Sequence, residues 1–338
     1  METLANKYRP TTLEDVVEQP AVIEILKNQI KKNLVKNCYL FTGPAGVGKT
    51  SIGRILAKSL NSEIPPIEID AASNNSIEDI RKLINECQVK PLAGYYKTFI
   101  LDEVHVLSNS AWQGLLKLIE EPPKNVVIIL CTTEPQKIPN TILSRVQRFD
   151  LKRISVIGIE ERLTKILNQE TITTPIQWDK DAVNYIAKLS NGGMRSALSL
   201  LDKCLSFSST LSIQNIAQII GETNIEDLID LTNRIINKNE SGILLLIDKL
   251  FNNGVDLKYF VKNYTEFLLD VNKYLLLCSM EYLQIPEYYQ SQIDSLVKNN
   301  DGNKIKELFG KIITLSENLK WATDPKSYLE MKLLLLCR

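Results

Sequence analysis

With 338 residues, of which 44% are hydrophobic and 24% charged, the chain has the composition of a globular protein and enough length for two or three domains. Its 40 lysines and arginines equal its 40 aspartates and glutamates, which excludes a protein that coats nucleic acid through bulk positive charge. No apolar run approaches the roughly 18 residues of a membrane span, and the start METLANKYRP lacks a secretory signal, so we expect a cytoplasmic protein without a membrane partner.

The first half of the chain alternates short apolar segments with amphipathic ones, a pattern typical of a parallel α/β sheet. Apolar runs between turn or helix signals predict strands over residues 39–42, 66–69, 98–102, 126–132 and 148–151. Amphipathic spacing predicts helices over residues 51–60, 77–89 and 111–121; Pro122 and Pro123 end the last of these, because proline cannot continue a helix. We therefore predict an α/β domain over residues 1–155.

Beyond residue 155 the apolar spacing becomes helical and no strand is predicted. Asp179 can cap a helix, Gly192 and Gly193 then break the chain, and another helix begins near Met194. Helical spacing continues almost to the last residue, as in GILLLIDKLF and YLEMKLLLLC. The sequence thus predicts a small helical domain over residues 156–222 and an all-α domain over 223–338.

The most specific motif is GPAGVGKT, which matches the phosphate-binding pattern G-x-x-x-x-G-K-[ST] and lies between a predicted strand and a predicted helix. In this pattern backbone N–H groups surround the phosphates of a nucleotide, the lysine neutralises the β- and γ-phosphates, and the hydroxyl ligates Mg²⁺. The alternative is a glycine-rich loop that matches the pattern by chance, but such a loop would not need a strand before it and a helix after it. The predicted nucleotide-binding residues are Gly43, Pro44, Ala45, Gly46, Val47, Gly48, Lys49, Thr50 and Ser51.

The segment TFILDEVH is a predicted strand that ends in two acidic residues. Downstream of a phosphate-binding loop, this pattern indicates that Asp102 holds Mg²⁺ through its water shell and that Glu103 accepts a proton from the attacking water. The alternative is a solvated acidic pair at a strand end. His105 is the single histidine, which excludes a polyhistidine metal site within this chain, and we interpret it as a packing or polar residue.

Two further segments carry little information when considered alone. CTTEPQKIPNTILSR places Thr132 and Thr133 at the end of a predicted strand and Arg145 after a short helix. GGMRSALSLLDK places Arg195 at the start of a helix. An exposed surface arginine would explain Arg145 or Arg195 equally well.

Taken together, the motifs resemble the bacterial DNA polymerase III gamma/tau subunit family and, more distantly, replication factor C small subunits. The resemblance rests on KYRPTTLEDVVEQP, GPAGVGKT, AASNNSIEDIRKL, LDEVHVLS, LLKLIEEPP, TTEPQKIPNTILSR and GGMRSALSLLDK, in this order. It implies an AAA+ P-loop ATPase with a parallel sheet, a helical lid and an all-α collar. It also implies ATP and Mg²⁺ as cofactors, and other clamp-loader subunits in a pentameric assembly, a sliding clamp and primer-template DNA as partners.

The resemblance also implies roles for individual residues. Thr133 corresponds to the sensor 1 polar residue, and Arg195 to the sensor 2 arginine, which reads the γ-phosphate from the lid of its own subunit. Arg145 corresponds to the arginine finger, which reaches the ATP of the neighbouring subunit. The strip that lines the adenine pocket in the family corresponds to Tyr8, Arg9, Pro10, Val16 and Val17.

The chain departs from the family pattern at three places. The usual four-cysteine zinc module after the P-loop helix is missing, because Leu60 runs almost directly into Pro65, and the six cysteines include no CxxC pair, so we predict no zinc. Val146 stands where the finger motif usually has cysteine, and Glu18 stands where glycine is usual. We also expect a chain that ends with the collar and lacks the tail of the longer family form.

Contacts to DNA are predicted around the helix at residues 77–89. Arg81, Lys82, Lys90 and Lys97 bracket this helix, and the amides that follow Asn74, Asn75 and Ser76 at its N-terminus could hold a phosphate. The alternative is a solvated helix face.

Two other functions remain open at this stage. DEVH resembles the box of a helicase, and an AAA+ helicase or branch-migration motor is the first alternative, although a two-lobed helicase needs a second α/β lobe. The second is a non-catalytic structural subunit of the same loader. Such subunits tend to lose the P-loop, whereas Lys49, Thr50, Asp102 and Glu103 are all present.

Overall fold

The computed structural model of the chain describes residues 2–61, 64–90, 93–220 and 225–337. The chain divides into two compact units: unit 1 comprises Met1–Gln169 with Ser190–Asp202, and unit 2 comprises Glu170–Leu189 with Lys203–Arg338. The boundary predicted between residues 222 and 223 lies outside the described residues, and the three-domain division stays a prediction.

Unit 1 contains a parallel sheet whose strands, within the described ranges, follow the spatial order β2-β3-β4-β1-β5. Every neighbouring pair is parallel, with Leu40 opposite Leu130 and Asp70 opposite Asp102. The strands are β1 (Cys38–Thr42), β2 (Ile67–Asp70), β3 (Lys97–Asp102), β4 (Val126–Thr132) and β5 (Gln147–Asp150). All five lie within one residue of the predicted ranges, so the predicted parallel α/β sheet is confirmed.

The core of unit 1 has a layer on each face of the sheet, because successive residues of a strand point to opposite faces. Cys38 and Leu40 of β1 pack in one cluster, and Tyr39 and Phe41 pack in the other. The first cluster includes residues of α4 (Ile77–Gln88) and α5 (Asn109–Glu120), and the second includes residues of α2 (Pro20–Lys31) and α3 (Lys49–Leu60). Unit 1 also contains the one-turn helices α1 (Leu4–Lys7) and α6 (Asn140–Leu143).

The remaining helices confirm the helical spacing of the second half. Helices α7 (Val156–Thr173) and α9 (Met194–Phe207) begin in unit 1. Those within unit 2 are α8 (Lys180–Leu189), α10 (Ile213–Ile220), α11 (Ile225–Ile236), α12 (Glu240–Asn252), α13 (Leu257–Leu277), α14 (Gln290–Asn299), α15 (Gly302–Leu319) and α16 (Pro325–Leu336). Within the described ranges, none of the helices has the length and apolar character needed to span a bilayer.

The prediction that no strand follows residue 155 was wrong in one detail. Unit 2 contains two short parallel strands, β6 (Gln177–Trp178) and β7 (Thr210–Leu211). Each is two residues long and lies just before a helix. A strand of two residues is too short to show the alternation of polar and apolar residues by which strands are predicted.

Candidate active site

A cavity of 420 Å³ in unit 1 brings together residues from five separate segments of the chain. The segments are the N-terminal strip, the glycine-rich loop, the end of β3, the start of α7 and the start of α9. Of the predicted site residues, those that line this cavity are Tyr8, Arg9, Pro10, Val16, Val17, Ala45, Gly46, Val47, Gly48, Lys49, Thr50, Ser51, Asp102, Glu103 and Arg195.

The loop between β1 and α3 requires glycine for both conformation and space. Gly43 and Gly48 have φ values of 140° and 105°, which side chains rarely adopt. A Cβ atom on Gly43 would lie 2.5 Å from the carbonyl oxygen of Leu151, whereas one on Gly48 would meet nothing within 4 Å. Gly43 is therefore fixed by packing as well as by its backbone, and Gly48 directly precedes α3, whose first residue is Lys49.

Lys49 is held inside the loop. Its Nζ donates to the carbonyl oxygens of Gly43 at 2.9 Å and Pro44 at 2.8 Å, and the residue is only 6% exposed. Burial lowers the pKa of Lys49, while the Glu103 and Asp102 carboxylates act in the opposite direction. Gly43 and Pro44 do not line the cavity but hold this ammonium group beside it.

Thr50 and Asp102 are in direct polar contact at the cavity. The Thr50 hydroxyl donates to Oδ2 of Asp102 at 2.6 Å, and Oδ1 of Asp102 accepts from the backbone N–H of Glu103 at 3.0 Å. A hydroxyl and a carboxylate in contact offer the hard oxygen atoms that Mg²⁺ prefers. The two predicted metal ligands thus lie together, although they are 52 residues apart in sequence.

Glu103 is in contact with the end of the neighbouring strand β4. Thr133 donates its hydroxyl to Oε2 of Glu103 at 3.2 Å, and Nδ1 of His105 lies 3.3 Å from the same oxygen. Thr133 does not line the cavity itself but holds a carboxylate that does. The histidine interpreted from sequence as a packing or polar residue is well buried, with 11% of its side chain exposed, and directly touches Glu103.

Sequence reasoning missed three charged residues that also line the cavity, namely Asp15, Arg54 and Arg162. Arg162 belongs to α7 and donates to the carbonyl oxygen of Tyr8 at 3.2 Å. Arg54 belongs to α3 and forms an ion pair with Glu68. Asp15 lies within the N-terminal segment that carries the family resemblance but was given no role, and no motif marks Arg54 or Arg162, so only the tertiary arrangement identifies these three residues.

The turn at Glu18 adopts the conformation that a glycine would favour. Glu18 and Gln19 have φ values of 59° and 58°, both left-handed. The Glu18 carboxylate accepts from the backbone N–H and the hydroxyl of Ser155, directly before α7. The Gln19 side chain donates to the carbonyl oxygen of Lys152 at 2.7 Å and accepts from its N–H at 3.1 Å.

Arg145 lies outside the lining of this cavity, at the end of α6. Its guanidinium donates to the carbonyl oxygen of Thr141 at 2.8 Å and pairs with Glu120 at 2.9 Å. The side chain remains 41% exposed. Arg145 therefore lies at the surface of unit 1, paired with Glu120.

The candidate DNA-binding residues also lie outside the cavity lining. They differ in exposure and in the contacts that their side chains already make. Arg81 and Lys90 are exposed on or just after α4. The side chain of Asn74 donates to the carbonyl oxygen of Asp70 at 3.0 Å. Lys97 is bound to Glu86 at 2.7 Å and is largely buried, so it is a poor candidate for a DNA contact.

The cysteines give no indication of a metal site. Of the six, all of which the structure describes, five are buried and Cys278 is exposed. Among the described residues, no group of three or more His, Cys, Asp or Glu side chains is arranged to hold a metal ion. Residues 62 and 63, in the short segment that stands where the zinc module would be, lie outside the described residues.

Family models match three consecutive parts of the chain. Residues 63–155 match a model described as DNA polymerase III, delta subunit. Residues 158–210 match DNA polymerase III clamp loader subunit, ATPase lid domain. Residues 211–338 match DNA polymerase III subunits gamma and tau domain III.

Curated relatives agree with these models. The chain is 33% identical to DNA polymerase III subunit tau of Bacillus subtilis, with all of this chain and 63% of that protein covered. It is 36% identical to subunit tau of Escherichia coli, with 75% and 43% covered. DNA polymerase III subunit gamma of Buchnera aphidicola from Acyrthosiphon pisum is 29% identical, with 98% of each chain covered. The chain thus spans less than two thirds of the tau relatives.

Among solved structures, the RuvB Holliday junction branch migration motor of Thermotoga maritima is similar in fold. It has a TM-score of 0.52 and 17% sequence identity, and the match covers 78% of this chain and 91% of that one. At this identity the likeness shows a shared fold alone.

Proposed function

The chain belongs to the DNA polymerase III gamma/tau family, whose members share the AAA+ fold, and we propose that it is an ATP-hydrolysing subunit of a DNA sliding-clamp loader. ATP binding orders a ring-like assembly that opens the clamp on primed DNA, and hydrolysis releases it. The observation that carries this proposal is the cavity where Lys49, Thr50, Asp102, Glu103 and Arg195 converge.

In this proposal the glycine-rich loop binds the phosphates of ATP. Phosphoryl transfer is catalysed mainly by positioned positive charge, and the cavity offers it from two sides. Lys49 supplies charge from the loop, and Arg195 supplies it from the first turn of α9. Tyr8, Arg9, Pro10, Val16 and Val17 form the wall against which the adenine packs.

Thr50 and Asp102 fit a magnesium ion, because their oxygen atoms are already in contact at the cavity. When bound there, Mg²⁺ neutralises charge that develops on the phosphates. Glu103 accepts a proton from the attacking water, and the Thr133 hydroxyl orients that carboxylate from the end of β4.

We propose that the protein binds no zinc. Elemental analysis of purified protein should find no zinc in stoichiometric amount, and one zinc per chain would contradict this proposal.

Arg145 is proposed to act on the ATP of a neighbouring subunit. It is half-exposed and outside the lining of its own cavity, which are the features that a residue acting across an interface needs. The assembly is proposed to be pentameric, with residues 156–222 as the lid and 223–338 as the collar that joins subunits. The proposed location is the bacterial cytoplasm, for a bacterial protein or for a phage protein in its host.

DNA is proposed to contact the region around α4, through Asn74, Arg81 and Lys90. Arg81 and Lys90 are exposed cations, suited to phosphate contacts that position DNA without reading its sequence.

The experiment that tests the function is an ATPase assay with and without primed DNA and the cognate clamp, with Lys49→Ala as the inactive control. Joint stimulation by DNA and clamp supports a loader. Strand separation or branch migration without a clamp would instead support a motor of the RuvB kind.

A further inference from the structure

We propose that His105 is a positioning residue for Glu103, which it holds by one carboxylate oxygen so that the other faces the attacking water. The inference rests on the proposed ATPase function and adds a residue to its machinery. His105 lies in the 3₁₀ turn Val104–Val106, directly after β3 and Glu103. It does not line the cavity formed by the described residues, so it acts through Glu103.

The imidazole ring of His105 lies between two carboxylates. Its Nδ1 is 3.3 Å from Oε2 of Glu103 and 3.2 Å from the hydroxyl oxygen of Thr132. Its Nε2 is 3.2 Å from Oε1 of Glu134. The ring is 11% exposed, whereas the Glu103 and Glu134 side chains are 39% and 36% exposed. A side chain this buried keeps its orientation and so can fix that of a more exposed neighbour.

Hydrogen-bond chemistry decides what each nitrogen does. Ionised carboxylates only accept, so a ring nitrogen that bonds to one must carry a proton. A contact of Nδ1 with the ionised carboxylate of Glu103 therefore requires a proton on Nδ1. The Thr132 hydroxyl oxygen already accepts from the backbone N–H of Glu134 at 3.0 Å. In this proposal the ring proton lies on Nδ1, where it can be donated to Oε2 of Glu103.

The contacts to Glu103 fall on one oxygen. Thr133 donates to Oε2 at 3.2 Å, and Nδ1 of His105 approaches the same Oε2. Two donors on Oε2 fix the rotation of the carboxylate, and they leave Oε1 to accept the proton of the water. Small errors in the placement of a reacting group lower rates strongly, so the effect belongs to the chemical step and not to nucleotide binding.

The test compares three substitutions that differ in where they place a donor. In His105→Asn the amide N–H₂ lies near the position of Nδ1, and in His105→Gln it lies near that of Nε2. His105→Ala removes both. We expect His105→Ala to lower kcat about 10- to 100-fold with an unchanged Kd for ATP. His105→Asn should recover most of kcat, and His105→Gln should stay low.

If His105 had only a structural role, the substitutions would affect melting temperature, nucleotide affinity and kcat in a different pattern. They would lower melting temperature and nucleotide affinity along with kcat, or asparagine and glutamine would rescue kcat equally. Either result overturns the proposal, as does a kcat for His105→Ala within about twofold of wild type.

A double-mutant cycle with Glu103→Gln gives a second measure that does not depend on rescue. If His105 acts through Glu103, then His105→Ala should cost nothing further in single-turnover hydrolysis once Glu103 is replaced. A full, additive loss in that background would overturn the proposal. If wild type itself fails to hydrolyse ATP with DNA and clamp present, the proposed function fails; if wild type is active and His105→Ala matches it, only the positioning role fails.

Discussion

Replacing Arg145 with alanine should separate ATP hydrolysis from ATP binding. Arg145 lies outside the lining of its own cavity, and its contacts are to Thr141 and Glu120. The isolated chain with Arg145→Ala should therefore bind ATP with unchanged affinity. In an assembled complex, the same change should remove the charge that stabilises the transition state at the next subunit.

The stability lost with the Arg145–Glu120 pair is much smaller than the increase in the reaction barrier expected from a missing arginine finger. The Arg145–Glu120 pair is exposed to solvent, with side chains 41% and 42% exposed, and such pairs contribute about 1 kcal/mol or less to stability. A lost arginine finger costs about 10³-fold or more in kcat. That factor corresponds to roughly 4 kcal/mol in the barrier. Destabilisation alone thus cannot account for the expected loss of hydrolysis.

The decisive assay mixes Arg145→Ala with Lys49→Ala chains. An interface that pairs the intact loop of the first chain with the intact arginine of the second should regain activity, and the opposite pairing should be inactive. Arg148→Ala is a matched control, because Arg148 is also 41% exposed and paired within its subunit, to Asp150. It should leave hydrolysis nearly unchanged.

Action across a subunit boundary would be refuted in either of two ways. One is the absence of rescue although mixed oligomers form, as judged by co-purification of differently tagged chains. The other is hydrolysis at the full rate by the monomer, because no neighbouring arginine is then present. A loss of ATP affinity in the isolated Arg145→Ala chain would place this residue in its own site instead.

Glu103→Gln should bind ATP as wild type does, because the phosphate-binding loop is intact. Its turnover should fall by orders of magnitude, because the attacking water has lost its proton acceptor. Equal loss of affinity and turnover, measured in parallel binding and hydrolysis assays, would contradict the role of Glu103. In native protein at pH 8, a thiol reagent should modify Cys278 rapidly and the others slowly. Cys278 is exposed, whereas burial raises the pKa of Cys38 and Cys87 to about 12 and that of Cys204 to about 11, so few thiolates form there. More than one fast-reacting thiol per chain, or a fast thiol in Cys278→Ser, would refute this assignment.

The elements of unit 1 could be predicted because their sequence patterns are local and strong. Strands β1 and β4 are buried along their whole length and appear as continuous apolar runs. The strands β6 and β7 contain two residues each, and their pairing depends on a partner more than 30 residues away. No local pattern specifies such a pair, so it was missed.

The residues of the candidate site likewise fall into two groups, those that a local sequence pattern identifies and those that it does not. The loop around Lys49 and the acidic end of β3 were found because phosphate and metal chemistry demands a fixed local spacing. Arg162 and His105 were not assigned to the site from sequence, because their contacts join segments that only folding brings together. Arg162 reaches Tyr8, which precedes it by 154 residues, and His105 reaches Glu134 on the far side of α5 and β4.

The turn at Glu18 shows how a long-range contact can replace a local rule. A left-handed conformation costs a residue other than glycine about 1–2 kcal/mol, and here Glu18 and Gln19 both adopt it. Glycine would avoid that cost at position 18 but would bring no side chain. The glutamate instead binds Ser155 at the N-terminus of α7, where negative charge is favourable, and Gln19 binds the backbone of Lys152. The departure from glycine thus joins the wall of the nucleotide cavity at Val16 and Val17 to the segment that leads into α7, so a residue that appears unfavourable in sequence is stabilised by contacts 137 positions away.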